Sequence, residues 1–194
     1  VYLDGKDKLP SVTTILSKTK VDSDGIKAWR ARVGEAEAER VMKEAAQRGS
    51  VMHEMLERYV HTNNFDTPAH DAPIAHKMAN LIISKGFIYL DEVWGVEQNI
   101  AYPNEYAGTM DCVGVFRKKP TILDFKQTNK PKREEWVEDY YLQLTAYICA
   151  HEKQYGKIDG GTILMASTGL VFQEFELSGS KLDEYKDKWW KRVE

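Results

Sequence analysis

Gly108-Thr109-Met110-Asp111 and Ile122-Leu123-Asp124-Phe125-Lys126 set one acid, then an acid and a lysine two residues apart, on segments whose composition predicts neighbouring β-strands. Side chains alternate across a strand, so Asp124 and Lys126 share a face. Two carboxylates and an ammonium on one sheet face make poor core. They make a good site for a divalent cation beside a phosphate, because hard cations take oxygen ligands and lysine can activate a water or steady a developing charge. The chemistry implied is metal-dependent phosphodiester hydrolysis.

Other residues can join them. His53 follows Arg48-Gly49 and shares a helix face with Glu57, one turn on. Glu97 is an acid in mid-strand beside Val93, Trp94 and Val96, and Gln143 and Tyr147 share a face of a later helix. Singly these are ordinary: Asp-x-Lys pairs recur by chance on surface strands, a lone helical histidine is usually a satisfied one, and Tyr147 alone reads as core. Glu57 reads as a solvated or salt-bridged partner and stays outside the ligand set. Their order and joint presence are specific.

The elements that must position them follow from patterning. A chain of 194 residues, 42% hydrophobic and 29% charged, fits one domain with a proper core. No apolar run is long enough to cross a bilayer and no signal-peptide pattern opens the chain, so no membrane partner is expected. With Val1 rather than methionine at the start, an initiating segment is expected to have been removed or to be missing from this sequence, and any targeting sequence with it. The net charge of −3 argues against a whole-surface nucleic-acid binder, yet Arg117, Lys118, Lys119, Lys126, Lys130, Lys132 and Arg133 gather around the two strands. Cys112 and Cys149 read as small core residues, too few for a four-cysteine zinc or iron–sulfur site.

Pro10-Ser11 can open a short helix through Leu16. A helix carrying Trp29 is expected over 24–48, a break or a close approach at Gly49, and a second helix from Ser50 to Val60 with Met52, Met55, Leu56 and Tyr59 on its apolar stripe. A loop over 63–73 leads to a helix over 74–85. Three antiparallel strands are expected over 87–101, 107–116 and 121–126, then a helix over 134–155, strands over 161–166 and 170–177, and a closing helix over 180–193. The fold class is α/β, a mixed central sheet flanked by helices.

Taken together, these features resemble the PD-(D/E)XK (restriction-endonuclease-like) nuclease superfamily and, within it, the RecB-like exonucleases, nearest the mitochondrial genome maintenance and related phage exonucleases. Leu9 to Leu16 resembles that group's opening motif, Arg48-Gly49 with His53 its Arg-Gly…His motif, and Gln143 with Tyr147 its Gln-x-x-x-Tyr helix. Gly108 to Asp111 and Asp124-Phe125-Lys126 resemble its two catalytic strands, and Asn129-Lys130-Pro131-Lys132 its following loop. Met110 stands where the name motif has proline, a common substitution. The resemblance implies that Asp111, Asp124 and the Phe125 carbonyl hold Mg2+ or Mn2+, with His53 completing the shell. Lys126 would orient or deprotonate the attacking water, and Glu97 would bind a second cation or orient the nucleophile. Gln143 and Tyr147 would hold the catalytic strand or the scissile phosphate.

It further implies a helical segment over 1–60 that arches over the active site of a single nuclease domain, with the catalytic sheet over 87–177. Ser11, Thr13, Trp29, Arg48, Lys130, Lys132 and Arg133 would then contact nucleic acid, and DNA with single-stranded ends would be the partner of a monomer. The cytoplasm, a host's if the chain is phage-encoded, or the mitochondrial matrix would be its place. A catalytically inactive binding module would lack an acid or the lysine, and none is missing; a metal-dependent nucleotide phosphohydrolase would have little use for the basic segment.

Overall fold

The structure is a computed structural model that describes residues 2–3, 7–20, 24–64 and 72–194. Its elements are β1 (Tyr2–Leu3), β2 (Asp7–Lys8), α1 (Val12–Thr19), α2 (Asp24–Val33), α3 (Glu35–Thr62), α4 (Pro73–Lys85), β3 (Leu90–Tyr102), β4 (Tyr106–Phe116), β5 (Lys119–Thr128), α5 (Glu138–Gln154), β6 (Gly160–Ser167), β7 (Phe172–Ser178) and α6 (Gly179–Val193). Most of the loop expected over 63–73 lies outside the described residues. Short 3-10 turns occupy Phe87–Tyr89 and Glu134–Trp136, where strand and helix were expected to begin.

The central sheet has the order β3-β4-β5-β6-β7, with β5 and β6 parallel and every other neighbouring pair antiparallel. The meander of three strands and the mixed sheet are as the patterning predicts. The parallel step from β5 to β6 is made through α5, since parallel neighbours need a crossover connection. Two apolar layers sandwich the sheet. On one face Ile122 and Ile163 meet α1, α5 and α6 through Leu16, Leu144 and Trp189. On the other, Leu123 and Phe125 meet α3 and α4 through Met52, Leu56, Met78 and Ile82. The alternation along β5 therefore assigns Phe125 to the α3 side, while Lys126 reaches Gln143 of α5 on the other.

One expectation fails. The helix does not break at Gly49; α3 runs through it without interruption, and the break falls at Gly34, whose φ of +87° a side chain would resist. Gly49 serves the close approach instead: a Cβ there would lie 3.4 Å from Gln127 Cγ on β5.

Two departures from regular sheet create the site. Pairing of β4 with β5 runs only from Phe116–Lys119 to Cys112–Leu123; beyond Leu123, β5 continues to Thr128 paired with β6. The strands thus part at Asp111 and Asp124. Glu97 falls opposite Asp111 in the β3–β4 register, between the Val96–Cys112 and Gln98–Met110 partners, and its backbone is left-handed at φ +48°. For a glutamate this is strained backbone, of the kind that collects at functional sites.

Candidate active site

Where β4 and β5 part, the freed N–H of Phe125 donates to Asp111 Oδ2 at 2.7 Å, which fixes that carboxylate. The Phe125 carbonyl is engaged from above by α3. His53 Nε2 lies 2.8 Å from the Phe125 oxygen, and since a carbonyl only accepts, Nε2 carries the proton. The other ring nitrogen, Nδ1, lies 3.6 Å from Asp111 Oδ1 and 3.9 Å from Glu97 Oε1. The three groups offer ligand atoms within 4.8 Å of one another, with the second ring nitrogen anchored as metal-binding histidines usually are. This donor set, one imidazole and two carboxylates, suits a divalent ion such as Mn2+ or Mg2+.

Asp124 stands apart from that cluster. Its carboxylate is 2% exposed and sits against Lys126 Nζ, 3.0 Å from Oδ1 and 2.9 Å from Oδ2. Oδ2 is nonetheless without a well-directed hydrogen bond, an orphaned buried acceptor beside the cluster. Lys126 Nζ also donates to Gln143 Oε1 at 3.0 Å and lies 5.0 Å from the Tyr140 ring. Gln143 in turn donates to the Tyr147 hydroxyl at 3.0 Å. Gly108 makes room for that tyrosine, because a Cβ at 108 would lie 2.7 Å from Tyr147 Cε1. The site therefore straddles the sheet: His53 and Glu97 reach it from the α3 side, Lys126 and Gln143 from the α5 side.

Electrostatics fit a site built for added positive charge. Burial raises Asp111, and the neighbouring Glu97 adds to it, against the pull of His53, Lys126 and the Phe125 N–H. Burial pushes Asp124 up to about 6, with Asp111 adding, despite Lys126. Glu97 is raised by burial and by Glu57, against His53. Burial pulls the Lys126 ammonium down, but Asp124 and Asp111 outweigh it, so the net direction is upward and the lysine is held firmly protonated. Burial pushes the Tyr147 hydroxyl up to about 12.

These groups open on a cleft of about 630 Å³ lined by α3 residues from Ala45 to Glu57, Glu97, Thr109, Asp111, residues 125–127 and Tyr140. Of the residues singled out in the sequence, His53, Glu97, Asp111, Asp124, Lys126, Gln143 and Tyr147 are brought together. Ser11 caps α1, accepting from Thr14 N at 3.0 Å, and Thr13 lies 3.0 Å from the Ser11 hydroxyl. Trp29 is half-buried on α2. Arg48 donates to Gln127 Oε1 and to Asn129 Oδ1. Lys130 is exposed; the Lys132 backbone pairs with the Gln173 side chain; Arg133 lies 5.2 Å from the Trp136 ring and pairs with Glu135. Sequence reading missed Gln127 and Thr109 as cleft residues. Thr109 lies two residues from Asp111 and Gln127 two from Phe125, so each shares a strand face with a named residue, the one signal that could have found them.

The chain is 27% identical to mitochondrial genome maintenance exonuclease 1 of Mus musculus over 206 aligned positions, which take in 97% of this chain and 59% of the mouse protein. It is 30% identical to the Xenopus tropicalis protein of the same name over 102 positions, 43% of this chain and 29% of that protein. The chain thus spans less than two thirds of the length of these relatives. The crystal structure of a candidate exonuclease from Eubacterium rectale shares its fold, with a TM-score of 0.52 and 15% identity over 77% of this chain and 63% of that one. No family model matches. The chain is thus similar in sequence to proteins named as mitochondrial genome maintenance exonuclease 1 and shares the fold of a candidate exonuclease.

Proposed function

We propose that this protein is a divalent-metal-dependent deoxyribonuclease that degrades DNA from single-stranded ends, in replication, repair, recombination or phage DNA metabolism. One observation carries the reading. A ring nitrogen of His53 and one carboxylate oxygen each of Asp111 and Glu97 lie within 4.8 Å of one another, beside a buried Asp124–Lys126 pair.

His53, Glu97 and Asp111 would hold the ion, with Asp124 and the Phe125 carbonyl at its margin. When bound, the cation would polarise the phosphoryl oxygens and ease deprotonation of water. The chain's own groups do the rest. Asp124 and Gln143 fix the Lys126 ammonium, whose upward shift keeps it charged at neutral pH. A charged Lys126 supports orientation of the water and stabilisation of negative charge on the scissile phosphate, rather than proton abstraction. Tyr147 holds Gln143, and Gln143 holds the lysine. The basic loop at Lys130, Lys132 and Arg133 would take backbone phosphates, and Trp29 and Trp136 would offer faces to unpaired bases.

Helix α1 packs with α5 and α6 on one face of the sheet, and α3 packs on the other. We propose that the helical segment containing them arches over the active site, so that a strand must thread through to reach it. The test compares a linear single strand, a closed single-stranded circle and a blunt duplex of matched sequence, each with Mn2+ or with chelator. The reading predicts cutting of the linear strand alone, and only with metal. Rapid cutting of the circle, equal digestion of the duplex, or metal-independent cutting would contradict it.

A further inference from the structure

Gln127 lies one residue past Lys126, on the opposite face of β5. Its amide makes two bonds to α3: Oε1 accepts from Arg48 Nε at 2.8 Å, and Nε2 donates to the Ala45 carbonyl at 3.0 Å. Its stem packs on the bare face of Gly49, where a Cβ would stand 3.4 Å away. Arg48 also reaches Asn129 Oδ1 at 2.5 Å, so the clasp extends two residues further along the chain. The second tie between α3 and β5 is His53 to the Phe125 carbonyl.

The spacing of the two ties matches. From Gly49 to His53 is four residues of helix, a rise of about 6 Å. From Gln127 back to Phe125 is two residues of strand, about 6.6 Å. Helix and strand thus run past each other in opposite directions in near-equal steps, and a helix pinned at 45–49 has its 53 position delivered over Phe125. A shift of α3 by one residue, about 1.5 Å along and 100° around its axis, would carry the imidazole off the carbonyl and away from Asp111 and Glu97.

We infer that Gln127 is a positioning residue of the site: by clasping Arg48 and the Ala45 carbonyl it sets the register of α3 on β5 that presents His53 to the acids. This rests on the proposed function only for its catalytic consequence; the register itself concerns the protein without metal.

The test is Gln127→Met, which keeps the length and the packing on Gly49 and loses both bonds. In metal-free protein labelled with 15N, the Nε2–H of His53 bonded to Phe125 should give a protected signal in wild type that is lost or shifted in the variant. Mn2+ affinity by calorimetry should fall about tenfold, as for other residues that orient a ligand. Leu182→Ala, in the opposite core layer, lowers the melting temperature and should leave the imidazole signal and Mn2+ affinity in place. If Gln127→Met does not fold, Arg48→Lys carries the same expectation with a milder change. An unaltered imidazole signal and Mn2+ affinity in folded Gln127→Met, or equal losses in Leu182→Ala, would overturn the inference. A wild type that binds no Mn2+ while Gln127→Met loses the imidazole signal would uphold the role of Gln127 and overturn the proposed function.

Discussion

Asp124 shows how one buried side chain ties chemistry to stability. Its carboxyl is pushed up to about 6 from an ordinary 3.8, chiefly by burial. Between those values the folded protein keeps a proton that the unfolded chain has released, so stability falls as pH rises through about 4 to 6. Asp111 and Glu97 are raised too and act in the same direction. In metal-free protein the melting temperature should therefore fall from pH 4.5 to pH 6.5, and Asp124→Asn should flatten that slope while abolishing cleavage. Asparagine keeps an acceptor for Lys126 but cannot ionise. An unchanged slope, or turnover near that of the parent, would remove Asp124 from the reacting group.

At the scale of elements, strand β4 and helix α5 are fitted through Gly108. A methyl group there would meet Tyr147 Cε1 at 2.7 Å and its hydroxyl oxygen at 3.3 Å, so the ring must move and the hydrogen bonds from Tyr147 through Gln143 to Lys126 move with it. Gly108→Ala should cost about 1–3 kcal/mol by overpacking and lower turnover with single-stranded DNA, both read by thermal melting and a cleavage assay. A variant that melts and turns over like the parent would show that the ring's place is immaterial. The elements differ in how openly the sequence declares them. The cap at Ser11, the helix over 74–85 and the alternation along β5 follow from local chemistry and were legible. The glycine at 34 was not told from that at 49, because what separates them is Gln127, a residue far along the chain. Glu97 was legible as an acid out of place in a strand. Its meeting with His53 depends on a left-handed backbone and the parting of β4 from β5, neither of which has a local signature.

For the whole molecule, the sheet acts as a partition opened at one point. Two core layers hold α3 and α5 on opposite faces, and the gap between β4 and β5 lets groups from both converge. Among the described residues, no helix is long and apolar enough to cross a membrane. The net charge of −3 is compatible with a nucleic-acid substrate because the basic residues cluster at the loop after β5. The order of the motifs made this architecture legible by resemblance, whereas the assignment of Glu97 rather than Asp124 to the imidazole's cluster came only with the geometry. The proposed function stands on His53, Glu97 and Asp111 holding a divalent cation. Calorimetric titration of Mn2+ into metal-free wild type and Asp111→Asn tests it most directly. Wild type should bind saturably, and the variant about tenfold or more weakly. No binding to wild type, or equal binding to both proteins, would contradict it.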